Sequence, residues 1–307
     1  MSDAVEVRPA ELADYDDVVA FASDTWADRR EDGDYIPSVF EDWVDSDGPD
    51  QRTLVAEVDG DVAALAQFVL LSEHEAWAQG MRTNPDYRGR GVGSTLVHAG
   101  FDWARERGAT VARNMVFSWN VMGLGHSRAT GFEPATEFRW VHPEPDADAS
   151  PDHEVTADPH AAWQCWQDSA ARDHLRGLAL DTAESWALSE LSRERLATAA
   201  DRDALSVVQS DAGTRGFAFR ARTFDREDDG VERTWAEYGV GAWADQSACE
   251  SVLDAVAADA ARVGADRTRV LIPETVDAVS DVAATRTEIG EEPDFVMAAD
   301  LTADYRD

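Results

Sequence analysis

Met81-Arg82-Thr83-Asn84-Pro85-Asp86-Tyr87-Arg88-Gly89-Arg90-Gly91-Val92-Gly93-Ser94-Thr95-Leu96 is the stretch on which the reading of this chain turns. It reads as the end of a strand, a loop and the start of a helix. Glycines at 89, 91 and 93 let backbone N–H groups turn inward and approach an anion closely. The helix that follows adds its free N–H groups and the positive end of its dipole. Arg88 and Arg90 add charge that pairs with phosphate oxygens.

The rest of the chain makes this stretch an exception. Its 307 residues carry 62 Asp and Glu against 27 basic residues, a net charge of −35, and none of the basic residues is Lys. Such a field repels nucleic-acid backbones and anionic membrane surfaces, so neither is an expected partner. The 44% apolar content and eleven Trp point to a folded protein rather than a disordered one. A carboxylate-coated, halophilic, cytoplasmic protein is expected, with self-repulsion screened at high salt. No run approaches the roughly 20 apolar residues of a membrane span, and no signal-peptide pattern opens the chain. Cys165 and Cys249 give neither a disulfide framework nor metal spacing. His142, His153 and His160 show no ligand spacing, and no metal is expected.

Three phosphate-binding patterns compete for the loop. The dinucleotide fingerprint needs Gly-x-Gly-x-x-Gly after the first strand, and the spacing here is Gly-x-Gly-x-Gly after several strands. The nucleotide P-loop ends in Gly-Lys-Ser/Thr, and there is no Lys. The third, Arg/Gln-x-x-Gly-x-Gly/Ala, is matched by Arg88, Gly91 and Gly93.

Outward from the loop, periodicity predicts strands at 5–8, 53–58, 62–71, one ending at Thr83, 110–117 and 132–142. Helices are predicted at 11–21, 37–44, 94–106 and 120–129. Asp59-Gly60-Asp61 is a hairpin signal. Residues 146–160, acidic and Pro-rich, read as a linker, although a strand at 152–156 could belong to either side. The plan then recurs more weakly. Arg107-Gly108-Ala109 and Val263-Gly264-Ala265 each follow a helix, about 156 residues apart.

The loop with its flanks, from Asn84-Pro85 to Asn120 and Gly131-Phe132, resembles the acetyl-CoA-binding region of the GNAT N-acetyltransferase superfamily. The resemblance covers about residues 5–142. It implies an α/β fold of two tandem GNAT-like domains, each a mixed, mostly antiparallel sheet flanked by helices. The domains would be 1–145, intact, and 161–307, degenerate. The second copy's loop slot, Val240 to Ser247, has one Gly, no Arg and an Asp, and is expected not to bind CoA.

Further implications concern the site. The strand ending at Thr83 would part from that at 110–117 to admit the pantetheine arm. Met81 and Thr83 would pair with the arm through their backbones. Arg88, Gly89, Arg90, Gly91, Val92, Gly93 and Ser94 would hold the pyrophosphate. Asn120 would either bond the arm or only cap its helix. Many relatives use a Glu on the strand before the loop as base. Glu73 and Glu75 are the candidates, on one face with Trp77, Gln79, Met81 and Thr83 by period-two counting, or else they are solvated hairpin acids. The slot of the usual Tyr acid holds Ser127, beside His126, the better proton donor. Trp26, Trp43, Trp77 and Trp119 either line an acceptor pocket or pack the core. The expected activity is acetyl transfer from acetyl-CoA, as co-substrate, to a primary amine of a small molecule or protein. A CoA-binding sensor or scaffold without turnover is the alternative.

Overall fold

The computed structural model describes residues 5–26, 29, 33–228 and 230–305. By their contacts these form two units. The first takes the chain up to 116, residues 120–134 and the chain from 297 onward; the second takes 117–119 and 135–296. Among the described residues no helix is long and apolar enough to cross a membrane.

The first unit contains β1 (Val5–Pro9), α1 (Tyr15–Ala22), α2 (Ile36–Ser46), β2 (Gln51–Val58), β3 (Asp61–Leu70), β4 (Glu75–Thr83), α3 (Val92–Arg105), β5 (Val111–Phe117) and α4 (Val121–Ala129). Strands β1 to β4 form an antiparallel meander. The β2–β3 turn places Asp59 and Gly60 at φ 54° and 93°, the positive values that a primed two-residue turn requires. Helix α3 then carries the chain over so that β5 lies parallel to β4. Period two sorts the two faces of the sheet. Leu54, Ala56 and Phe68 pack with Leu96, Val97 and Phe101 of α3. Val55 and Leu65 pack with Val18 of α1 and Ile36 and Phe40 of α2. The α3 face is tight, since a Cβ on Gly100 would stand 2.0 Å from the Phe68 ring.

The second unit holds most of β6 (Glu133–His142), then β7 (Glu154–Thr156), α5 (Pro159–Gln167), α6 (Ala170–His174), β8 (Leu178–Leu180), β9 (Leu188–Glu190), α7 (Arg193–Asp201), β10 (Leu205–Ser210), β11 (Gly213–Asp228), β12 (Val231–Trp243), α8 (Gln246–Arg262), β13 (Arg267–Pro273), α9 (Val276–Thr285), β14 (Glu288–Ile289) and the start of β15 (Asp294–Asp300). Its strands run in the order β6-β13-β12-β11-β10-β7, with β12 and β13 parallel. Both units are therefore mixed, mostly antiparallel sheets with helices on them.

The contacts divide the chain differently from the expected 1–145 and 161–307. Strand β6 pairs with β13, from Val270↔Val141 to Pro273↔Phe138, and so groups with the second unit. Met297, Ala299 and Leu301 are buried in the first unit's core. There the Leu301 N–H donates to the Thr110 carbonyl at 2.9 Å and Arg105 Nε donates to the Leu301 carbonyl at 2.6 Å. Each half's last strand thus serves the other half. The acidic stretch 146–160 is no free linker either. The Asp146 N–H donates to the Ala257 carbonyl at 3.0 Å, β7 pairs with β10, and α5 begins at Pro159.

Candidate active site

Strand β4 carries the site because it stops pairing on one side. It pairs with β5 only over Glu75↔Val111, Ala76↔Ala112 and Trp77↔Arg113. Beyond Trp77 the two strands part, leaving the β4 edge from 78 to 83 open. The Asn84 N–H donates to the Ala63 carbonyl at 2.9 Å. Main-chain groups alternate along an antiparallel strand, so those of Thr83 point away from β3, into the opening, while the Met81 carbonyl accepts from Arg82 Nη1 at 2.9 Å.

A bulge interrupts β4 at Gly80, where φ is +66° and the register with β3 shifts. A side chain at Gly80 would meet the Trp43 ring at 2.5 Å. The bulge corrects the expectation that Gln79, Met81 and Thr83 share a face. Ala78 and Met81 pack with the α3 cluster. Gln79, opposite Gln67, and Arg82, opposite Leu65, lie toward α1 and α2. A Gly inside a strand pattern was the available signal for this bulge.

The loop follows. Asn84 caps a short 3-10 turn, Pro85–Tyr87. The Tyr87 hydroxyl donates to Asp61 Oδ2 at 2.7 Å, and the Arg90 guanidinium lies 5.2 Å from the Tyr87 ring centre. Arg88 and Arg90 are exposed. Gly89 and Gly91 have φ of +76° and +80° with open space around them, so backbone conformation, not crowding, demands glycine there. Helix α3 starts at Val92, two residues before the expected Ser94. The N–H groups of Val92, Gly93 and Ser94 therefore belong to the first turn and have no partner within their helix. At Gly93 a Cβ would stand 2.9 Å from His126 Cε1 and 3.1 Å from Thr83 Oγ1.

His126 thus lies against the first turn of α3. Burial, reinforced by nearby His98, pushes its imidazole below the ordinary histidine range. Its Nε2 is buried with no hydrogen-bond partner, an orphan that a ligand in this cradle would satisfy. The cradle fits a CoA pyrophosphate: outward N–H groups, two exposed Arg, two glycines in the left-handed region and a waiting imidazole nitrogen.

The remaining sequence candidates are placed less favourably for chemistry. Ser127 is buried and accepts from Asn114 Nδ2 at 3.1 Å. Asn120 Oδ1 accepts from the Gly123 N–H at 2.9 Å, capping α4. Glu73 is exposed in the β3–β4 turn, at the opposite end of β4 from the loop. Glu75 is buried; it accepts from Arg113 Nη1 at 2.5 Å and from Ser72 Oγ at 2.9 Å. An acid so engaged is built for structure rather than proton transfer. Trp77 is core, while Trp26 lies 4.4 Å beneath the Arg82 guanidinium. Two features escaped the sequence reading. One is the buried Asp34–Arg82 ion pair at 2.5 Å. The other is a row of polar side chains, Thr53, Gln67 and Gln79, on the α1/α2 face.

The second unit's equivalent slot is filled by its own side chains. Asp245 caps α8 by accepting from the Ala248 N–H at 3.0 Å and is bonded by Arg215. The Trp243 ring lies over Gly241, beside Val270 of β13, and its Nε1 donates to Asp281 Oδ2 at 2.9 Å. Where the first unit has Gln67 opposite Gln79, the second has Arg222 opposite Glu237. Glu237 is fully buried and also paired with Arg269.

Known proteins resemble this chain in sequence and in fold. The acetyltransferase (GNAT) family model matches residues 15–121. Streptothricin acetyltransferase of Streptomyces lavendulae is 34% identical over 98 residues, 30% of this chain and 50% of that protein. The chain therefore spans half the length of that relative. A GCN5-related N-acetyltransferase from Sphaerobacter thermophilus matches over 97% of this chain and 96% of its own, with a TM-score of 0.61 and 16% identity. A putative acetyltransferase from Thermoplasma acidophilum matches over 96% and 99%, with a TM-score of 0.54 and 16% identity. At such identity these two speak for the shared fold across both halves.

Proposed function

We propose that this chain, whose residues 15–121 match the acetyltransferase (GNAT) family model, moves an acetyl group from acetyl-CoA to a primary amine. The acceptor is a small molecule or a protein amine. The observation that carries this reading is the β4 edge. It leaves β5 after Trp77, points the Thr83 main chain into the opening, and runs directly into the glycine loop.

The residues divide the work. Met81 and Thr83 hold the pantetheine arm as an added strand. Arg88, Gly89, Arg90, Gly91, Val92, Gly93 and Ser94 hold the pyrophosphate. His126, neutral at pH 7, joins them through Nε2 rather than acting as acid on the leaving thiolate. Asn120 shapes the start of α4. A β4 main-chain N–H near the bulge polarises the thioester carbonyl. Acetyl-CoA supplies the acyl group: the amine lone pair forms the N–C bond, the C–S bond breaks with its pair on sulfur, and the surplus amine proton passes to solvent. Glu73 and Glu75 take no part in this scheme.

The buried Ser127 favours a second reading, a CoA-binding protein without turnover, because nothing there matches a tyrosine acid. Two measurements separate the readings. Calorimetry in molar KCl should show one acetyl-CoA site per chain, lost in Arg88→Glu. A turnover assay with a panel of primary amines, streptothricin among them, should show CoA release. Binding without release by any amine would favour the sensor. No binding by folded wild-type protein would refute both.

A further inference from the structure

Three elements meet at Gly93. It is the second residue of α3 and is buried. The position that a Cβ would take there lies 2.9 Å from His126 Cε1, 3.4 Å from His126 Nε2 and 3.1 Å from Thr83 Oγ1. In a helix the Cα–Cβ bond tilts toward the N-terminus. The Cε1–Nε2 edge of His126, on α4, therefore lies beside the end of α3 that carries the free N–H groups, together with the Thr83 hydroxyl of β4. His126 Nε2 is buried and makes no hydrogen bond. A buried polar atom of this kind calls for a partner.

The surroundings hold the ring neutral in the free chain. Burial and then His98 of α3 keep its imidazole below the ordinary histidine range, and the positive end of the α3 dipole acts in the same sense. The other charged groups of the neighbouring elements are accounted for. On its own helix, Arg128 is ion-paired with Glu133. On β5, Arg113 is held by Glu75 at 2.5 Å. The loop before α3 carries the exposed Arg88 and Arg90. From the C-terminal segment, Tyr305 stacks on His98 at 6.5 Å and its hydroxyl donates to the Asp300 carbonyl at 3.0 Å. β4 brings the uncharged Thr83. The last turn of α4, which holds His126, acts oppositely, since the negative end of a helix favours a cation. A diphosphate seated on the α3 N–H groups would tip this balance. It would bring negative charge within reach of Nε2, and an opposite charge that close favours the protonated ring.

We propose that His126 is a proton-linked ligand of the CoA pyrophosphate: as the diphosphate seats, the imidazole takes one proton from solvent and, as a cation, donates its Nε2–H to a pyrophosphate oxygen. This rests on the acetyl-CoA reading above. Between the imidazole pKa of the free chain and that of the complex, the complex holds more protons than its parts. Affinity therefore falls as pH rises through that window and is flat on either side of it. The cofactor is held most tightly when the medium turns mildly acidic.

The test uses the full chain in molar KCl with dephospho-CoA as the probe, because it lacks the 3′-phosphate, which itself titrates near roughly pH 6. Calorimetry at about pH 7, in two buffers of different protonation enthalpy, reads the protons taken up per molecule bound. We expect about half a proton or more for wild type and none for His126→Gln, which keeps a donor but cannot gain a charge. Wild-type affinity should fall about tenfold from pH 6 to pH 8, while that of His126→Gln stays flat. A second readout needs no variant. In carbon-13 histidine spectra of wild type, the ring in contact with Gly93 should titrate at higher pH with dephospho-CoA bound than without it. Binding without proton uptake, uptake that survives in His126→Gln, or a ring whose titration does not move would overturn the inference and leave the acetyl-CoA site standing. Failure of the folded wild type to bind either dephospho-CoA or acetyl-CoA would overturn both.

Discussion

Replacing Arg82 by Met should unfasten the segment that leads into α2, and the structure sets the size of the effect. Arg82 Nε and Nη2 donate to the two oxygens of Asp34 at 2.5 and 3.0 Å, and Nη1 donates to the Met81 carbonyl at 2.9 Å. The Asp34 side chain has no exposed surface and that of Arg82 only 8%. A solvent-exposed pair of this kind would be worth about 0–1 kcal/mol. Removing one partner of a buried pair strands the other charge and costs about 3–5 kcal/mol. Asp34 would keep the Ile36 N–H at 3.0 Å, which offsets part of that loss. We therefore expect about 3 kcal/mol from urea unfolding of Arg82→Met at fixed salt. For a unit of this size that is a fall in Tm of roughly 10 °C. The double variant Asp34→Leu/Arg82→Met should recover most of it, because no charge is then stranded. A cost under 1 kcal/mol for Arg82→Met, or a double variant no better than the single, would refute the reasoning.

Gly93→Ala places a Cβ 2.9 Å from His126 Cε1; we expect acetyl-CoA affinity to fall at least tenfold by calorimetry, with an overpacking cost of about 1–3 kcal/mol. Asp294 in the second unit is buried and accepts from Trp140 Nε1 at 3.1 Å, and burial pushes its carboxyl up to about 7. Its folded form holds a proton that the unfolded form has released above about pH 4, so its contribution to stability is lost as pH rises from 4 through 7. Asp294→Asn should then be more stable than wild type at pH 8, by about 2–4 kcal/mol, with the gap closing toward pH 4; a gap independent of pH would refute this. With a net charge of −35, the thermal midpoint should rise between 0.1 M and 2 M KCl as self-repulsion is screened; an unmoved midpoint would refute salt adaptation.

Local signals made much of this molecule legible from its sequence. The Asp59-Gly60 turn, the αL glycines 89 and 91 and the period-two faces of β2 and β3 each follow from conformational limits on one or two residues. The glycine loop could be picked out as a candidate for the same reason, as it is a single continuous segment; that His126 of α4 lies against it could not be read there. What could not be read depends on partners distant in sequence. Glu75 looks like a strand acid available for chemistry until Arg113, on the strand beyond a whole helix, is seen to hold it. Period-two counting failed past Gly80 because one extra residue in β4 reverses every face after it. The exchange of β6 and β15 was hidden for a related reason: hydrophobic alternation marks a strand and says nothing of which sheet takes it.

The second unit fills the corresponding region with its own side chains. Its β12 also has a glycine, Gly239, just beyond the acid that stands opposite Arg222, but a Cβ there would meet Phe219 at 2.1 Å, so close packing now holds that glycine. The neutral Gln67–Gln79 pair is replaced by the charged Arg222–Glu237 pair, tied on its other side to Arg269, whose guanidinium lies 4.2 Å from the Trp186 ring and 4.5 Å from the Trp140 ring. A buried charge enclosed by Arg and indole has no capacity left for a substrate. The region before α8 differs in the same direction, with Asp245 capping α8 and the Trp243 ring lying over Gly241, beside Val270 of β13. Placing a glycine at 243 would therefore open space without making a CoA site, because Asp245 would still repel the phosphate. Calorimetry of Trp243→Gly should find one acetyl-CoA per chain, as in wild type, together with a stability loss of about 3–5 kcal/mol for the missing indole. A second equivalent of acetyl-CoA would mean that the indole alone had closed the site.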